Sequence, residues 1–300
     1  MTDLKYPNFA FDITHSAPNS KARLGNLKTP HGTIQTPNFI FCGTKASIKN
    51  LNPDQMVEAK TDIILSNTYH LMIQPGADIV EKMGGLHKFM GWDGPMLTDS
   101  GGFQIFSMGH GSVADEIKGR NKGERGQSLL KITEEGAKFR NYRDGSAMML
   151  TPELSMDIQR KLGADLIMQF DECTAFHVDR KYTESSMHRS HRWGDRSLEQ
   201  FAKNDNGAQA VYGIVQGGVY DELRKESCAW TKNGNFFGTA IGGSLGGSKQ
   251  QFYEIVELCS KEIHQTRPVH LLGIGAIDDI FKCVRLGIDT FDCVSPTRAA

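Results

Sequence analysis

Six short segments, each following a run of apolar residues, carry the side chains with chemistry in them: Thr98-Asp99-Ser100-Gly101-Gly102-Phe103-Gln104, Asp171-Glu172-Cys173, Gln216-Gly217-Gly218, Gly242-Gly243-Ser244, Gly273-Ile274-Gly275 and Asp292-Cys293. Asp99, Asp171 and Asp292 are the acids of this set, expected at three neighbouring strand ends. A carboxylate at a strand end, drawn out of water, costs several kcal/mol unless it has partners or a task. Paired carboxylates cleave glycosidic bonds, one attacking the anomeric carbon while the other serves the leaving group. Asp99 and Asp292 fit that pair. Asp171, the Gln216 amide and the backbone at Gly243 offer acceptors and donors that match the edge of a purine. The glycines permit close backbone approach to a flat or phosphate-bearing ligand, or simply end strands. On these residues alone another barrel enzyme with two carboxylates stays open.

Such residues need a scaffold that brings distant segments together. The chain has apolar runs near Phe39–Gly43, Asp62–Asn67, Pro95–Thr98, Leu166–Phe170, Val211–Val215, Phe237–Ile241, His270–Ile274 and Asp289–Asp292, eight candidate strands. Amphipathic stretches alternate with them: Pro53–Lys60, Ala77–Met83, Pro152–Leu162, Glu184–Lys203, Asp221–Lys232, Lys249–Ile263 and Ile277–Leu286. Asn52-Pro53 and Thr151-Pro152 put a capping residue before a proline at a helix start, and Gly84, Gly163 and Gly287 stand where helices end. Eight strands with helical crossovers predict an α/β fold, a (β/α)8 TIM barrel with its chemistry at the C-terminal mouth. An open doubly wound sheet is the alternative. Residues 104–150 exceed a βα connection and contain two extended halves around Asp144-Gly145, predicting a hairpin-bearing insertion after strand three. Residues 1–35 form a polar lead-in expected to cover one end of the barrel.

Composition narrows the class without choosing an activity. The 300 residues, 39% hydrophobic and 23% charged, suit one globular catalytic domain spanning 1–300. No apolar run approaches the roughly 20 residues of a membrane helix, and the N-terminus lacks a signal-peptide apolar region, so the expectation is a cytoplasmic protein with no membrane partner. Six scattered cysteines contain no CxxC pair and give no basis for a disulfide framework. With a net charge of -1, any nucleic-acid affinity must be local. Arg189, Arg192 and Arg196 share a helix face that can meet phosphates but reads more simply as solvated. Glu184, His188 and His191 have ligand-like spacing without supporting context, so no metal is assigned to them.

LTDSGGFQIFS (97–107), FDECT (170–174), YGIVQGG (212–218), IGGSLGG (241–247), HLLGIG (270–275) and GIDTFDCVSPTR (287–298) fall in the order and spacing of the tRNA-guanine transglycosylases. SNTYHLMIQPG (66–76), GGLHKFMGWDGP (84–95) and YRDGS (142–146) extend the resemblance over nearly the whole chain. It implies base exchange at guanosine 34 of tRNAs with GUN anticodons, those for Asp, Asn, His and Tyr, where guanine is replaced by a 7-deazaguanine base in queuosine modification. Asp292 would correspond to the nucleophile that holds the RNA covalently and Asp99 to the general acid/base. Ser100, Gly101, Gly102, Phe103, Asp171, Gln216, Gly243 and Leu272 would bind the base, with Phe103 and Leu272 on its faces. Gly273, Ile274, Gly275, Ala276, Ile277, Asp278, Asp279, Thr297 and Arg298 would contact the tRNA. No ATP or redox cofactor is implied.

The chain departs from the family's pattern in two places. Members continue into a helix closing the barrel and a zinc subdomain with a CxCxxC motif and a later histidine, and none of those ligands occurs here. The expectations are therefore a barrel incomplete at its last helix, apolar surface bared beside strands one and eight, no structural zinc, and a weakened basis for the family's homodimer. Gly246 and Ser248 stand where many bacterial members selective for 7-aminomethyl-7-deazaguanine have a bulkier apolar residue and a glutamate, implying a roomier pocket for queuine. A DNA deazaguanine transglycosylase or a truncated, noncatalytic RNA-binding relative is the alternative, though the retained Asp99, Asp292 and PTR segment favour the tRNA enzyme.

Overall fold

The computed structural model describes residues 4–109 and 129–299. Its centre is a closed parallel barrel of eight strands: β4 (Asn38–Cys42), β5 (Ile64–Ser66), β6 (Met96–Thr98), β10 (Leu166–Met168), β11 (Ala210–Val215), β12 (Gly238–Ile241), β13 (Val269–Leu271) and β14 (Thr290–Cys293), with β14 pairing β4 to close the ring. The eight strands are those the apolar runs predict. The strands are short and their residues alternate between two environments, as the pleat requires. Ile40, Leu65, Leu97, Met168, Tyr212, Ile214 and Ala240 form one buried cluster, the barrel interior. Their neighbours Ile64, Met96, Ile167 and Val211 pack outward with Ile158, Leu162, Trp193 and Phe201 of the surrounding helices.

Residues Ala10–Ser16, Arg23–Thr29 and Gly32–Thr36 (β1 to β3) make an antiparallel sheet whose Leu27 and Ile34, both fully buried, join the interior cluster. Because His31 and Gly32 lie against Asp165 and Pro95, which precede barrel strands, this sheet seals the N-terminal end. Between β6 and β10 lies a second antiparallel sheet, Leu129–Ile132, Ala137–Arg140 and Ala147–Leu150 (β7 to β9). It contains the expected hairpin, with Gly145 at positive φ in its turn. The expected insertion also includes 110–128, which lies outside the described residues.

Local chemistry explains the helix boundaries. Asn52 and Gln55 form a reciprocal capping box at Pro53–Glu58, Thr151 caps Pro152–Leu162, and Gly163 ends that helix in the left-handed conformation. The helix expected at Glu184–Lys203 starts a turn earlier, at Arg180, because the Asp179 side chain accepts from the Tyr182 backbone N–H. Four helices of five to eight residues, Thr68–Ile73, Gly85–Met90, Gly102–Gly109 and Ser295–Ala299, are too short to display a helical period and escape the sequence reading. On β4, Phe39 and Phe41 are half-buried, with rings 5.2 Å apart. Among the described residues no helix is long and apolar enough to cross a membrane.

Candidate active site

Every barrel strand delivers a residue to the C-terminal mouth. Cys42 and Asp292 lie at the ends of β4 and β14, and Asn67, Asp99, Gln216 and Leu272 immediately follow β5, β6, β11 and β13. Asp171 and Gly243 come within three residues of the ends of β10 and β12. The strand order corrects one detail of the sequence reading: the three acids are not at neighbouring strand ends. β6 and β10 pair directly, but β4 and β5 separate β6 from β14, so Asp292 faces the other two from further round the ring.

Asp99 is held on both oxygens. Oδ1 accepts the Thr68 backbone N–H at 2.8 Å, and Oδ2 accepts the Asn67 and Gln104 side-chain amides, each at 2.5 Å. Burial raises its pKa, those three donors oppose the rise, and the charge of Asp292 adds to it. The other amide atom of Gln104, Oε1, is buried without a hydrogen-bond partner. Asn67 and Gln104 had not been singled out as functional. Asn67 follows an apolar run just as Asp99 does, and Gln104 lies one helical turn beyond Gly101, so both signals were available.

Asp171 sits at the base of the neighbouring strand ends, 5% exposed, accepting from Gln216 Nε2 at 2.6 Å and from Ser100 Oγ at 3.3 Å. Burial pushes its pKa up to about 6, against the pull of those two donors and with a further push from Asp99. Gly243 has φ of +73°, and a Cβ there would stand 2.3 Å from Gln216 Oε1, so a side chain would displace the amide that holds Asp171. Both glycine-bearing turns are tied to one buried residue missed in the sequence, Arg224. Its guanidinium donates to the carbonyls of Val215, Gly218, Gly242 and Ser244 at 2.7 to 3.2 Å.

Asp292 is partly open, its side chain 14% exposed. Its Oδ1 lies 2.9 Å from the Gly273 backbone N–H and 3.1 Å from His270 Nε2, while Oδ2 has only the Cys42 thiol at 4.0 Å. Burial, then the charge of Asp292, raises the Cys42 thiol's pKa, so it stays a neutral neighbour. Leu272 approaches Gly242, and Phe103 is half exposed at the rim. The segment 273–279 continues over the mouth with Gly273, Ala276, Ile277 and Asp278 exposed and Ile274 and Gly275 half-buried. Asp279 is engaged internally, accepting from Lys249 Nζ at 2.8 Å and Tyr253 Oη at 2.6 Å. Thr297 is buried with its hydroxyl on the Val294 carbonyl, whereas Arg298 is exposed.

Neither reading of the arginine face survives. Arg189, Arg192 and Arg196 are neither phosphate-ready nor simply solvated: they pair with Glu172, Glu134 and Glu153 and latch the insertion sheet to their helix. Glu184, His188 and His191 likewise have separate partners, Arg180, Glu226 and Ser227. The six cysteines are free and no three gather. Only His31, His87 and Asp165, at the sealed end, lie within metal-ligand reach of one another among the described residues. Their imidazole rings stack at 3.6 Å and 15°, and the Asp165 oxygens already take His31 Nδ1 at 2.7 Å and the Met96 N–H at 2.8 Å. His87 Nε2 lies 3.3 Å from Asp165 Oδ2, so both imidazoles meet the one carboxylate and the trio clasps the sheet to the barrel.

The arrangement is that of a two-carboxylate transfer site beside a polar slot for a flat heterocycle. A family model described as Queuine tRNA-ribosyltransferase matches residues 18–300. A queuine tRNA-ribosyltransferase of Roseiflexus sp. (strain RS-1) is 48% identical over 299 residues, covering 96% of this chain and 75% of that protein. Proteins of the same name from Protochlamydia amoebophila (strain UWE25) and Chlamydia caviae are 48% and 43% identical over 292 and 290 residues, covering 97% of this chain and 75% and 77% of theirs.

Proposed function

The chain belongs to the queuine tRNA-ribosyltransferase family, and from that premise we propose that its barrel mouth exchanges guanine 34 of GUN-anticodon tRNAs for a 7-deazaguanine base. The observation that carries this reading is the asymmetry of the carboxylates. Asp99 and Asp171 have donors on both oxygens, while among the described residues Asp292 Oδ2 has no nearer partner than the Cys42 thiol at 4.0 Å. Asp292 Oδ2 attacks C1′ of the flipped-out nucleotide, and the C1′–N9 bond breaks with its electron pair passing to guanine. Asp99, whose pKa is pushed upward by burial against its three donors, delivers a proton to the leaving base. The incoming base returns that proton to Asp99 and attacks C1′, which breaks the ester and restores Asp292. Ionised Asp171 accepts the purine ring N–H and amino hydrogens, Gln216, Ser100 and the Gly101, Gly102 and Gly243 backbone border the slot, and Phe103 and Leu272 cover the base faces.

The cycle is isoenergetic enough in bonding to require neither nucleotide triphosphate nor redox cofactor, because one N-glycosidic bond replaces another. The tRNA would lie over 273–278 and Arg298.

The incoming base in this reading is queuine. Gly246 and Gly247 bring no side chain to the slot, backing instead onto Gln251 and Phe176, and the Ser248 hydroxyl is occupied as the cap of helix Lys249–Glu262. One assay tests the whole proposal: incorporation of labelled guanine into a GUN-anticodon tRNA, with trapping of a denaturant-stable protein–RNA adduct and competition by either base. Asp292→Asn should lose the adduct and at least about 10³-fold in exchange rate. An unimpaired Asp292→Asn variant would overturn the nucleophile assignment, and competition by the aminomethyl base but not by queuine would overturn the choice of substrate.

A further inference from the structure

We propose that His270 is a positioning residue for Asp292, holding one carboxylate oxygen so that the other is presented to the ribose. The inference rests on the reading of Asp292 as nucleophile. His270 lies on β13 directly beside Thr290 of β14, two residues before Asp292 and so on the same face of the strand. It is fully buried, its side chain 0% exposed, in a barrel whose interior is otherwise lined largely by Ile, Leu, Met and Tyr. A polar ring in that place costs free energy unless both nitrogens find partners. They do. Nδ1 lies 2.9 Å from Thr290 Oγ1 and Nε2 lies 3.1 Å from Asp292 Oδ1.

The partners fix the tautomer. An ionised carboxylate accepts only, so Nε2 carries the hydrogen, and Nδ1 is left to accept from the Thr290 hydroxyl, which can serve either role. Thr290, His270 and Asp292 thus form a one-way chain of donors ending on Oδ1. The Gly273 N–H reaches the same oxygen from the opposite side at 2.9 Å. With two donors on Oδ1 and only a thiol at 4.0 Å from Oδ2, rotation of the carboxylate breaks both good hydrogen bonds. Oδ2 is therefore the atom aimed outward, and His270 contributes by limiting the carboxylate to that orientation. His270 keeps its proton throughout and exchanges none with substrate.

The test measures the rate of adduct formation by rapid quench, the tRNA KM and the thermal melt for His270→Phe, His270→Gln and Thr290→Val, with Asp292→Asn alongside. His270→Phe keeps the ring volume and removes the donor; adduct formation should slow by about 10–100-fold with KM within about threefold, as expected for loss of a charge-assisted hydrogen bond felt in the transition state. His270→Gln restores an N–H at the ε position and should recover to within about fivefold of wild type. Thr290→Val removes the hydroxyl that donates to Nδ1 and helps hold the ring in place, and should slow adduct formation by about 3–10-fold at unchanged KM. Wild-type adduct formation in His270→Phe overturns the inference, as does an equal loss in the Phe and Gln variants. If His270→Phe does not fold, an unimpaired Thr290→Val decides against it. Loss of the adduct in Asp292→Asn with none of these effects removes the role of His270 alone, whereas exchange persisting in Asp292→Asn removes the nucleophile reading itself.

Discussion

Asp171 shows at the residue scale how a binding function opposes stability. Its pKa, about 6 in the fold against an ordinary 3.8, means that the folded state holds the proton more tightly than the unfolded chain. A raised pKa contributes stability that is fully present below the unfolded value and lost as pH rises through the folded one. Asp171→Asn should therefore match wild-type stability near pH 4 and exceed it by about 1–3 kcal/mol at pH 8, the lost carboxylate contacts with Gln216 and Ser100 subtracting from the full difference. Paired thermal or denaturant melts across that range check it; a stability difference independent of pH would refute it. Guanine binding runs the other way, because the ionised acid is the acceptor: the base KM should climb as pH falls below about 6. Asp99, Asp171 and Asp292 were legible in the sequence because each ends an apolar run. His270 was not, since within Pro268-Val269-His270-Leu271 it reads as one polar residue in a strand, and only the register with Thr290 reveals what it touches.

At the scale of elements, helix Asp221–Asn233 organises the slot through Arg224. The planar fork reaches four carbonyls from two turns, and a lysine ammonium with three donors on a flexible stem cannot reproduce that pattern. Arg224→Lys should raise the KM for the free base by about tenfold or more, since Gln216 and Gly243 lose their fixed spacing, while tRNA KM moves less. Steady-state kinetics with base and tRNA varied separately distinguish the two, and equal changes in both would point to general loss of fold. The sequence placed this helix correctly but could not separate Arg224 from the polar residues around it, because burial depends on which face meets β11 and β12. The insertion is the same lesson. Its hairpin followed from Asp144-Gly145, whereas the contacts that dock it to Arg189, Arg192 and Arg196 join residues 55 to 62 positions apart and leave no local pattern.

For the whole molecule, the N-terminal sheet is part of the barrel's stability. Arg23 donates to both oxygens of the fully buried Asp289, at 2.8 and 2.6 Å, and Asp289 also accepts the Val269 N–H. Burial nevertheless leaves the Asp289 pKa raised, with Arg23 opposing it. Removing one partner of such a pair strands the other, so Arg23→Met should cost about 3–5 kcal/mol, and Arg23→Met/Asp289→Leu less than the sum of its singles. A double-mutant cycle by urea unfolding measures this; strict additivity would mean the pair is not coupled.

The sequence by itself determined the architecture and singled out the three candidate acids. Strand alternation, capping residues and strand-end polarity are local signals, set by backbone geometry within a few residues. Only the tertiary structure decided how the acids differ. Barrel closure put β14 against β4 rather than beside β6, and burial with specific donors tied down both oxygens of Asp99 and Asp171. The same closure gave one oxygen of Asp292 two donors and left the other, among the described residues, with the Cys42 thiol at 4.0 Å. Desolvation and hydrogen-bond geometry depend on neighbours contributed by distant segments, which is why three similar aspartates in the chain occupy three different environments in the fold.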